Sequence, residues 1–204
     1  MPSRYKLGIA AALLAAAWVA PAHSAPAELA NALRQGGYVL LMRHASSPAN
    51  PPDKAAADPQ NVGDERQLDE KGRASARDMG DAFRTLHIPV GLVFSSPTYR
   101  ARETVRLADL GTPVLAPELG DQGHSMARIT GAGPVDWLKN KVSELPPRGR
   151  NTVLVTHMPN IAAAFPDQSA DLKDGETLVF KPDGHGHAEL VAKVEIGDWP
   201  QMAK

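Results

Sequence analysis

Three short apolar runs, at residues 39–42, 91–94 and 152–156, alternate along the chain with segments of helical spacing. Continuous apolar runs of this length are typical of strands buried in a parallel sheet. Apolar residues at helical spacing predict helices at 27–33, from Asp69 onward, and at 134–145. Strands that alternate with helices imply βαβ crossovers. The pattern therefore predicts an α/β fold, a three-layer α/β/α sandwich with a mainly parallel central sheet.

The middle helix has the clearest local signals. Asp69 is predicted to be its N-cap, because an aspartate oxygen accepts the free amide hydrogens of a first turn. Its apolar stripe consists of Ala76, Met79, Phe83 and Leu86. Between the first strand and this helix, residues 46–64 are rich in Pro, Ala and Asp and lack periodicity. We expect this segment to be a long loop that covers a pocket.

Charged residues follow each of the three predicted strands. The first strand ends in Arg43 and His44, the second leads into a helix that carries Arg100, and the third ends at His157. Ligand sites in open α/β sheets lie outside the carboxyl ends of the strands. If the strands are parallel neighbours, two arginines and two histidines converge on one pocket.

This set of side chains suits transfer of a phosphoryl group. Guanidinium groups bind phosphate oxygens through paired hydrogen bonds. A neutral imidazole, whose ordinary pKa is about 6.5, attacks phosphorus at neutral pH and leaves again when water attacks the intermediate. Because cationic donors already surround the phosphate, we expect neither a metal nor a cofactor.

The motifs resemble those of the histidine phosphatase superfamily, also called the phosphoglycerate mutase-like superfamily. The matching segments are Leu-Met-Arg-His at 41–44, Ser-Ser-Pro-Thr-Tyr-Arg-Ala at 95–101 with Thr104, and Val-Thr-His at 155–157 with Pro159 and Asn160. The resemblance implies that His44 is phosphorylated during turnover and that Arg43 and Arg100 bind the phosphoryl group. It implies that His157 stabilises the group in transfer. Arg102 is expected on another helix face, in solvent.

The resemblance also implies a carboxylic acid that protonates the leaving oxygen of an ester. Segment 113–124 contains two eligible residues, Glu118 and Asp121. We predict that Glu118 is the acid. Asp121 is an alternative, and so is the absence of any acid, because phosphohistidine phosphatases release an imidazole.

The first 24 residues have the pattern of a secretory signal peptide. Arg4 and Lys6 precede an apolar stretch at 7–20, and small residues surround the predicted cleavage site after Ser24. The apolar stretch is shorter than the roughly 20 residues of a bilayer span. We therefore expect residues 1–24 to be a signal peptide and 25–204 to be one histidine phosphatase domain, periplasmic or secreted, without a stable membrane anchor.

Composition narrows the range of partners. The 204 residues include 22 basic and 23 acidic side chains, a formal net charge of −1, and no cysteine. This balance argues against nucleic acid as a partner. Without disulfides, stability must come from core packing.

Together these features predict an exported phosphatase that hydrolyses a phosphomonoester through a phosphohistidine intermediate. We expect it to be a metal-independent hydrolase of the histidine acid phosphatase type that acts on a small phosphorylated molecule or an envelope glycan phosphate. The alternatives are a phosphohistidine phosphatase and a non-catalytic phosphate-binding envelope protein. A mutase is less expected, because Ala45 stands where mutases have Gly. The role of His185 and His187, in a glycine-rich turn, stays open.

Overall fold

The computed structural model describes residues 26–48, 63, 65–122 and 128–204. The predicted signal peptide and most of the predicted loop at 46–64 lie outside these residues. Across the described ranges, no helix has the length and apolar character to cross a membrane.

In the described residues, six strands form one sheet and six helices flank it. The strands are β1 (Val39–Arg43), β2 (Val90–Ser95), β3 (Val114–Leu115), β4 (Asn151–Thr156), β5 (Thr177–Pro182) and β6 (Ala188–Val194). The helices are α1 (Pro26–Gln35), α2 (Glu70–Thr85), α3 (Tyr99–Leu107), α4 (Gly133–Ser143), α5 (Met158–Ala164) and α6 (Trp199–Met202). A short 3₁₀ turn spans Pro117–Leu119.

The strand order is β3-β2-β4-β1-β5-β6. Strands β1, β2, β3 and β4 pair in parallel, whereas β5 is antiparallel to both β1 and β6. The predicted mainly parallel sheet is therefore confirmed. The three strands with charged ends, β2, β4 and β1, are direct neighbours, as convergence of those ends requires.

Side chains of β1 alternate between two hydrophobic cores, one on each face of the sheet. Leu40 and Met42 pack into the core formed with α1, α2, α3 and α6. Val39 and Leu41 pack into the core formed with α4, α5 and the 3₁₀ turn. Because successive strand residues point to opposite faces, one fully buried strand holds both cores together. This arrangement gives the predicted three layers.

Helix α2 starts where the sequence predicts. The Asp69 side chain accepts a hydrogen bond of 2.6 Å from the Gly72 backbone N–H. Gly72 lies against the loop after β1, and a Cβ atom built on it would be 2.1 Å from the Ser46 carbonyl oxygen. All four residues of the predicted stripe are buried. The start of α2 is thus fixed against the backbone two residues after His44.

Candidate active site

The two predicted site histidines meet at the carboxyl edge of the sheet. In the parallel pairing of β1 with β4, Arg43 is opposite Thr156, so the next residues, His44 and His157, leave the sheet side by side. Their ring centroids are 5.1 Å apart, at an interplanar angle of 62°. Both residues are almost fully buried. The strand-end pattern in the sequence correctly predicted this juxtaposition.

The His44 ring is held in one tautomer by the main chain. Its Nδ1 atom lies 2.8 Å from the Ala45 carbonyl oxygen. A carbonyl oxygen only accepts hydrogen bonds, so the proton of the neutral ring sits on Nδ1. The Nε2 atom then carries an unshared electron pair, as a nucleophile requires.

Burial and nearby cations keep His44 neutral. Burial is the largest cause that lowers the pKa of His44 to about 3, opposed by the Ala45 carbonyl. The positive charges of Arg100, Arg43 and Arg66 lower this pKa further. The ring is therefore unprotonated at neutral pH.

His157 is buried between the hydroxyl groups that follow β2. Its Nε2 atom lies 3.0 Å from Ser96 Oγ and 3.2 Å from Thr98 Oγ1. Its Nδ1 atom is buried and has no hydrogen-bond partner among the described residues. Burial, followed by the charges of His44 and Arg100, lowers the pKa of His157 well below its ordinary value.

The Arg43 guanidinium is fixed by the chain segment before β5. Nη1 donates to the Leu172 carbonyl oxygen at 2.8 Å, and Nη2 forms an ion pair of 2.6 Å with Asp174. The Nε atom is buried, and the described part of the chain offers it no acceptor. A buried donor of this kind is costly unless something accepts its hydrogen bond. An anion beside His44 is chemically suited to do so.

Arg100 forms a fully buried ion pair. Its Nη2 atom lies 2.8 Å from Asp121 Oδ2, and the two side chains are 2% and 1% exposed. Arg100 acts electrostatically on both histidines. The structure thus brings Asp121 to the phosphate-binding candidate Arg100, an association that the sequence did not indicate.

A third arginine, Arg66, was missed in the sequence. Its Nε and Nη2 atoms donate to Ser47 Oγ and Ser47 O, each at 3.0 Å. Its charge lowers the pKa of both His44 and His157. No strand end or motif marks residue 66. Arg66 lies just before α2, outside any helix or strand, and tertiary packing rather than a sequence pattern lets its charge act on the histidines.

Glu118 lies on the 3₁₀ turn and is half-buried. Asn160 Nδ2 holds this turn by donating to the carbonyl oxygens of Glu118 at 2.8 Å and Gly120 at 3.0 Å. The Glu118 carboxylate itself makes no hydrogen bond or ion pair within the described ranges. Its assignment as the acid stays a prediction.

Besides Arg66, the sequence analysis also missed Glu65. Its carboxylate is buried and accepts a hydrogen bond from the Tyr99 backbone N–H at the start of α3. Arg102, expected in solvent, is half-buried with its Nη1 atom out of reach of water. That expectation was wrong because the segment before α2 packs against the first turn of α3.

His185 and His187 are exposed in the turn between β5 and β6. Their backbone N–H groups donate to Asp183 Oδ1 at 2.7 and 3.2 Å. The glycine-rich turn that contains them is therefore solvated. Among the residues that the structure describes, no cluster of His, Cys, Asp or Glu is arranged to hold a metal ion.

The fold and the site define an α/β protein with two neutral histidines among arginine charges. Residues 39–122 match the model of the histidine phosphatase superfamily (branch 1). No curated protein matches the chain in sequence. The family model supports the histidine phosphatase superfamily over this range, and the solved structures that follow show the likeness in fold.

Three solved structures illustrate the likeness. The protein histidine phosphatase SixA complexed with tungstate aligns at 16% identity over 79% of this chain and 98% of its own, with a TM-score of 0.57. A candidate alpha-ribazole-5'-P phosphatase from Escherichia coli aligns at 18% identity over 79% and 98%, with a TM-score of 0.54. A phosphoserine phosphatase from Entamoeba histolytica aligns at 13% identity over 78% and 97%, with a TM-score of 0.53. At these identities the likeness establishes the fold, not the substrate.

Proposed function

We propose that this chain is a phosphatase that hydrolyses a phosphomonoester through a phosphohistidine at His44. The observation that carries the proposal is the state of the His44 ring. It is neutral, its proton is held on Nδ1 by the Ala45 carbonyl, and its Nε2 atom is unprotonated beside arginine charges. A group that only bound phosphate would gain from a protonated imidazole, whereas a nucleophile needs the neutral one.

In the first step, the Nε2 electron pair of His44 forms a bond to phosphorus while the bond to the leaving oxygen breaks. Arg43 and Arg100 bind the phosphoryl oxygens, whose negative charge is spread in the transition state. A carboxylic acid, predicted from the sequence to be Glu118, protonates the leaving oxygen. In the second step, water attacks phosphorus and gives a proton to the ionised carboxylate, while the electron pair of the N–P bond returns to Nε2.

His157 has a complementary role in this mechanism. The hydroxyl groups of Ser96 and Thr98 lie 3.0 and 3.2 Å from His157 Nε2, and a hydroxyl that donates to this atom leaves it without a proton of its own. The neutral His157 ring then carries its proton on Nδ1, the atom without a described partner. We assign this N–H to a phosphoryl oxygen, where it stabilises the developing charge.

The proposal includes export and a metal-free reaction. The signal-peptide pattern of residues 1–24 supports a periplasmic or secreted enzyme. Such an enzyme meets small phosphorylated molecules and envelope glycan phosphates, which are the substrate classes we propose. The set of cationic side chains supports catalysis without a metal, as a hydrolase of the histidine acid phosphatase type.

A second candidate function is hydrolysis of phosphohistidine. The ion pair of Asp121 with Arg100 favours it, because the Asp121 carboxylate is already engaged as an acceptor of the guanidinium hydrogen bond. An imidazole leaving group depends less on a proton donor than an alkoxide does. The likeness in fold to the protein histidine phosphatase SixA agrees with this candidate.

Chemical trapping tests the proposal. The chain lacking residues 1–24 is mixed with a ³²P-labelled aryl phosphate, quenched in alkali, and analysed for acid-labile label on His44 by mass spectrometry. We expect label in the wild type and none in His44→Ala. Steady hydrolysis without a phosphorylated histidine contradicts the mechanism, and phosphate binding without hydrolysis of any substrate indicates the non-catalytic alternative.

A panel of substrates then separates the two candidate functions. It contains sugar phosphates, a glycan phosphate and a phosphohistidine peptide. A higher kcat/KM for the peptide than for every ester favours the second candidate.

A further inference from the structure

Asp121, Glu118 and Glu65 are the carboxyl groups to compare as proton donors, and their surroundings differ. Asp121 is buried and paired with Arg100 at 2.8 Å. Glu118 is half-buried, and the described contacts of this residue involve its backbone. Glu65 is only 3% exposed. An acid in the reaction must be protonated before the leaving group departs, so these surroundings decide which carboxyl is suited to donate.

The two oxygens of Glu65 are in different situations. Oε2 accepts the Tyr99 backbone N–H. Oε1 is buried and has no hydrogen-bond partner among the described residues. A buried ionised carboxylate needs its oxygens paired, whereas a protonated carboxyl group carries an O–H donor. Burial is the largest influence on the pKa of Glu65 and raises it, opposed by the Tyr99 N–H and the charges of Arg100 and Arg102.

Glu65 is connected to the histidine site through its hydrogen-bond donor, Tyr99. Its hydrogen-bond donor Tyr99 stands between Arg100, whose charge acts on both histidines, and Thr98, whose hydroxyl contacts His157. Arg66, the residue that follows Glu65 in the chain, lowers the pKa of the same two histidines through its positive charge. Both segments that meet at Glu65 therefore carry residues that act on His44 and His157.

We propose that Glu65 is the carboxylic acid that donates a proton to the leaving group. As the His44–phosphorus bond forms, the electron pair of the breaking P–O bond goes to the leaving oxygen, and the Oε1 proton of Glu65 follows it. The ionised Glu65 is then stabilised by Arg100 and Arg102. In the second step it takes a proton from the attacking water, which restores the acid. This inference rests on the proposed function and assigns to Glu65 the role that the sequence had given to Glu118.

A purely structural role for Glu65 has a different signature. The Tyr99 N–H is one of the free donors of the first turn of α3, so Glu65 also holds this helix in place. Loss of that contact would disturb Arg100 and slow every substrate equally. Loss of a proton donor slows substrates with poor leaving groups far more than an activated aryl phosphate, whose phenolate departs unaided.

The experiment compares kcat for an aryl phosphate and an alkyl phosphate in the wild type and four variants. Glu65→Gln is nearly isosteric and keeps an oxygen for the Tyr99 N–H. Glu118→Gln and Asp121→Asn test the other two carboxyls. Glu70→Gln is the control, because Glu70 is an exposed residue whose ion pair with Arg73 lies on the surface of α2. We expect Glu65→Gln to lose about a hundredfold or more with the alkyl phosphate and little with the aryl phosphate.

Several outcomes overturn the inference. Equal losses on both substrates in Glu65→Gln mean a structural role, and a selective loss in Glu118→Gln or Asp121→Asn instead moves the acid to that residue. Aryl phosphate turnover in the wild type with labelled His44 shows that the proposed function holds even when the inference fails. A wild type without turnover overturns both.

The pH profile of the wild type provides a test that does not depend on folding of a variant. The donor must be protonated, so kcat for the alkyl phosphate should fall as pH rises through the pKa of Glu65. The groups that set this pKa are Arg100, Arg102, Asp121 and the Tyr99 N–H. The aryl phosphate should lack this fall, and an identical profile for both substrates contradicts the inference.

Discussion

Two pairs of histidines in this chain differ in burial, in their place in the sheet and in the separation of their members along the sequence. His44 and His157 are buried at neighbouring strand ends, 5.1 Å apart between ring centroids. His185 and His187 are exposed in the turn between two antiparallel strands. The members of the first pair are in contact although they lie 113 positions apart in the sequence, whereas the members of the second pair are neighbours only because they lie two positions apart in one turn. Parallel neighbours and burial, rather than local spacing, make histidines suited to chemistry here.

The largest expected effect tests the difference between the two pairs directly. Replacing the nucleophile, as in His44→Ala, should lower kcat for an aryl phosphate by about a thousandfold or more, because the reaction loses the imidazole nitrogen that attacks phosphorus. His185→Ala should leave kcat unchanged, since that side chain is in solvent. The measurement is steady-state kinetics, with circular dichroism to show that both variants are folded. Comparable losses in the two variants contradict the distinction.

The next effect concerns the arginines that accompany the buried pair. Arg100→Lys and Arg43→Lys keep the charge but lose the planar fork, so we expect kcat to fall on the order of a hundredfold in each. Arg106→Lys is the matched control, because Arg106 lies on the same helix as Arg100 but is exposed and paired with Glu103 on the surface; it should change kcat little. Equal damage from Arg100→Lys and Arg106→Lys means that the phosphate contact has been assigned to the wrong face of α3.

The buried pair should also make stability depend on pH. Burial lowers the pKa of His44 from 6.5 to about 3 and lowers that of His157. Below pH 6.5 the unfolded chain binds protons that the folded chain excludes, so the free energy of unfolding falls as pH falls. Each histidine contributes a slope of up to about 1.4 kcal/mol per pH unit.

Denaturant unfolding between about pH 7 and pH 5 measures this dependence. His44→Asn should reduce the slope, and His87→Asn, at an exposed position with positive φ, should leave it as in the wild type. An unchanged slope in His44→Asn indicates that His44 is not held neutral by burial.

The smallest expected effect is that of chelators. If the arginines and His157 supply the charge that the phosphoryl group needs, EDTA should leave kcat unchanged. Loss of activity that zinc or magnesium restores indicates a metallophosphatase. If His185→Ala abolishes the effect of the chelator, the metal is bound by the exposed pair of histidines. The exposed pair would then contribute to activity, as the buried pair is proposed to do.

Local sequence signals predicted much of the fold. Asp69 caps α2 because its side-chain oxygen is within reach of the Gly72 N–H. The two residues are only three positions apart, so this contact can be predicted from the local sequence. The antiparallel direction of β5 and β6 was not predicted, since short apolar runs carry no information on strand direction. Helix α3 begins at Tyr99, two residues after Pro97, and Thr98 is its N-cap.

By itself, the sequence determined the elements, the alternation that makes three layers, and the residues at the strand ends, His44, Arg100 and His157. These features depend on period, length and chain order, which are local. Only the tertiary structure decided the state of the site: the tautomer of His44, the pairing of Arg100 with Asp121, and the approach of Glu65. The contacts of Arg100 with Asp121 and of Tyr99 with Glu65 join segments that are distant in the chain. The contact of His44 with Ala45 is local, but it depends on the backbone conformation after β1. Burial gives all three their electrostatic effect, so no spacing in the sequence encodes them.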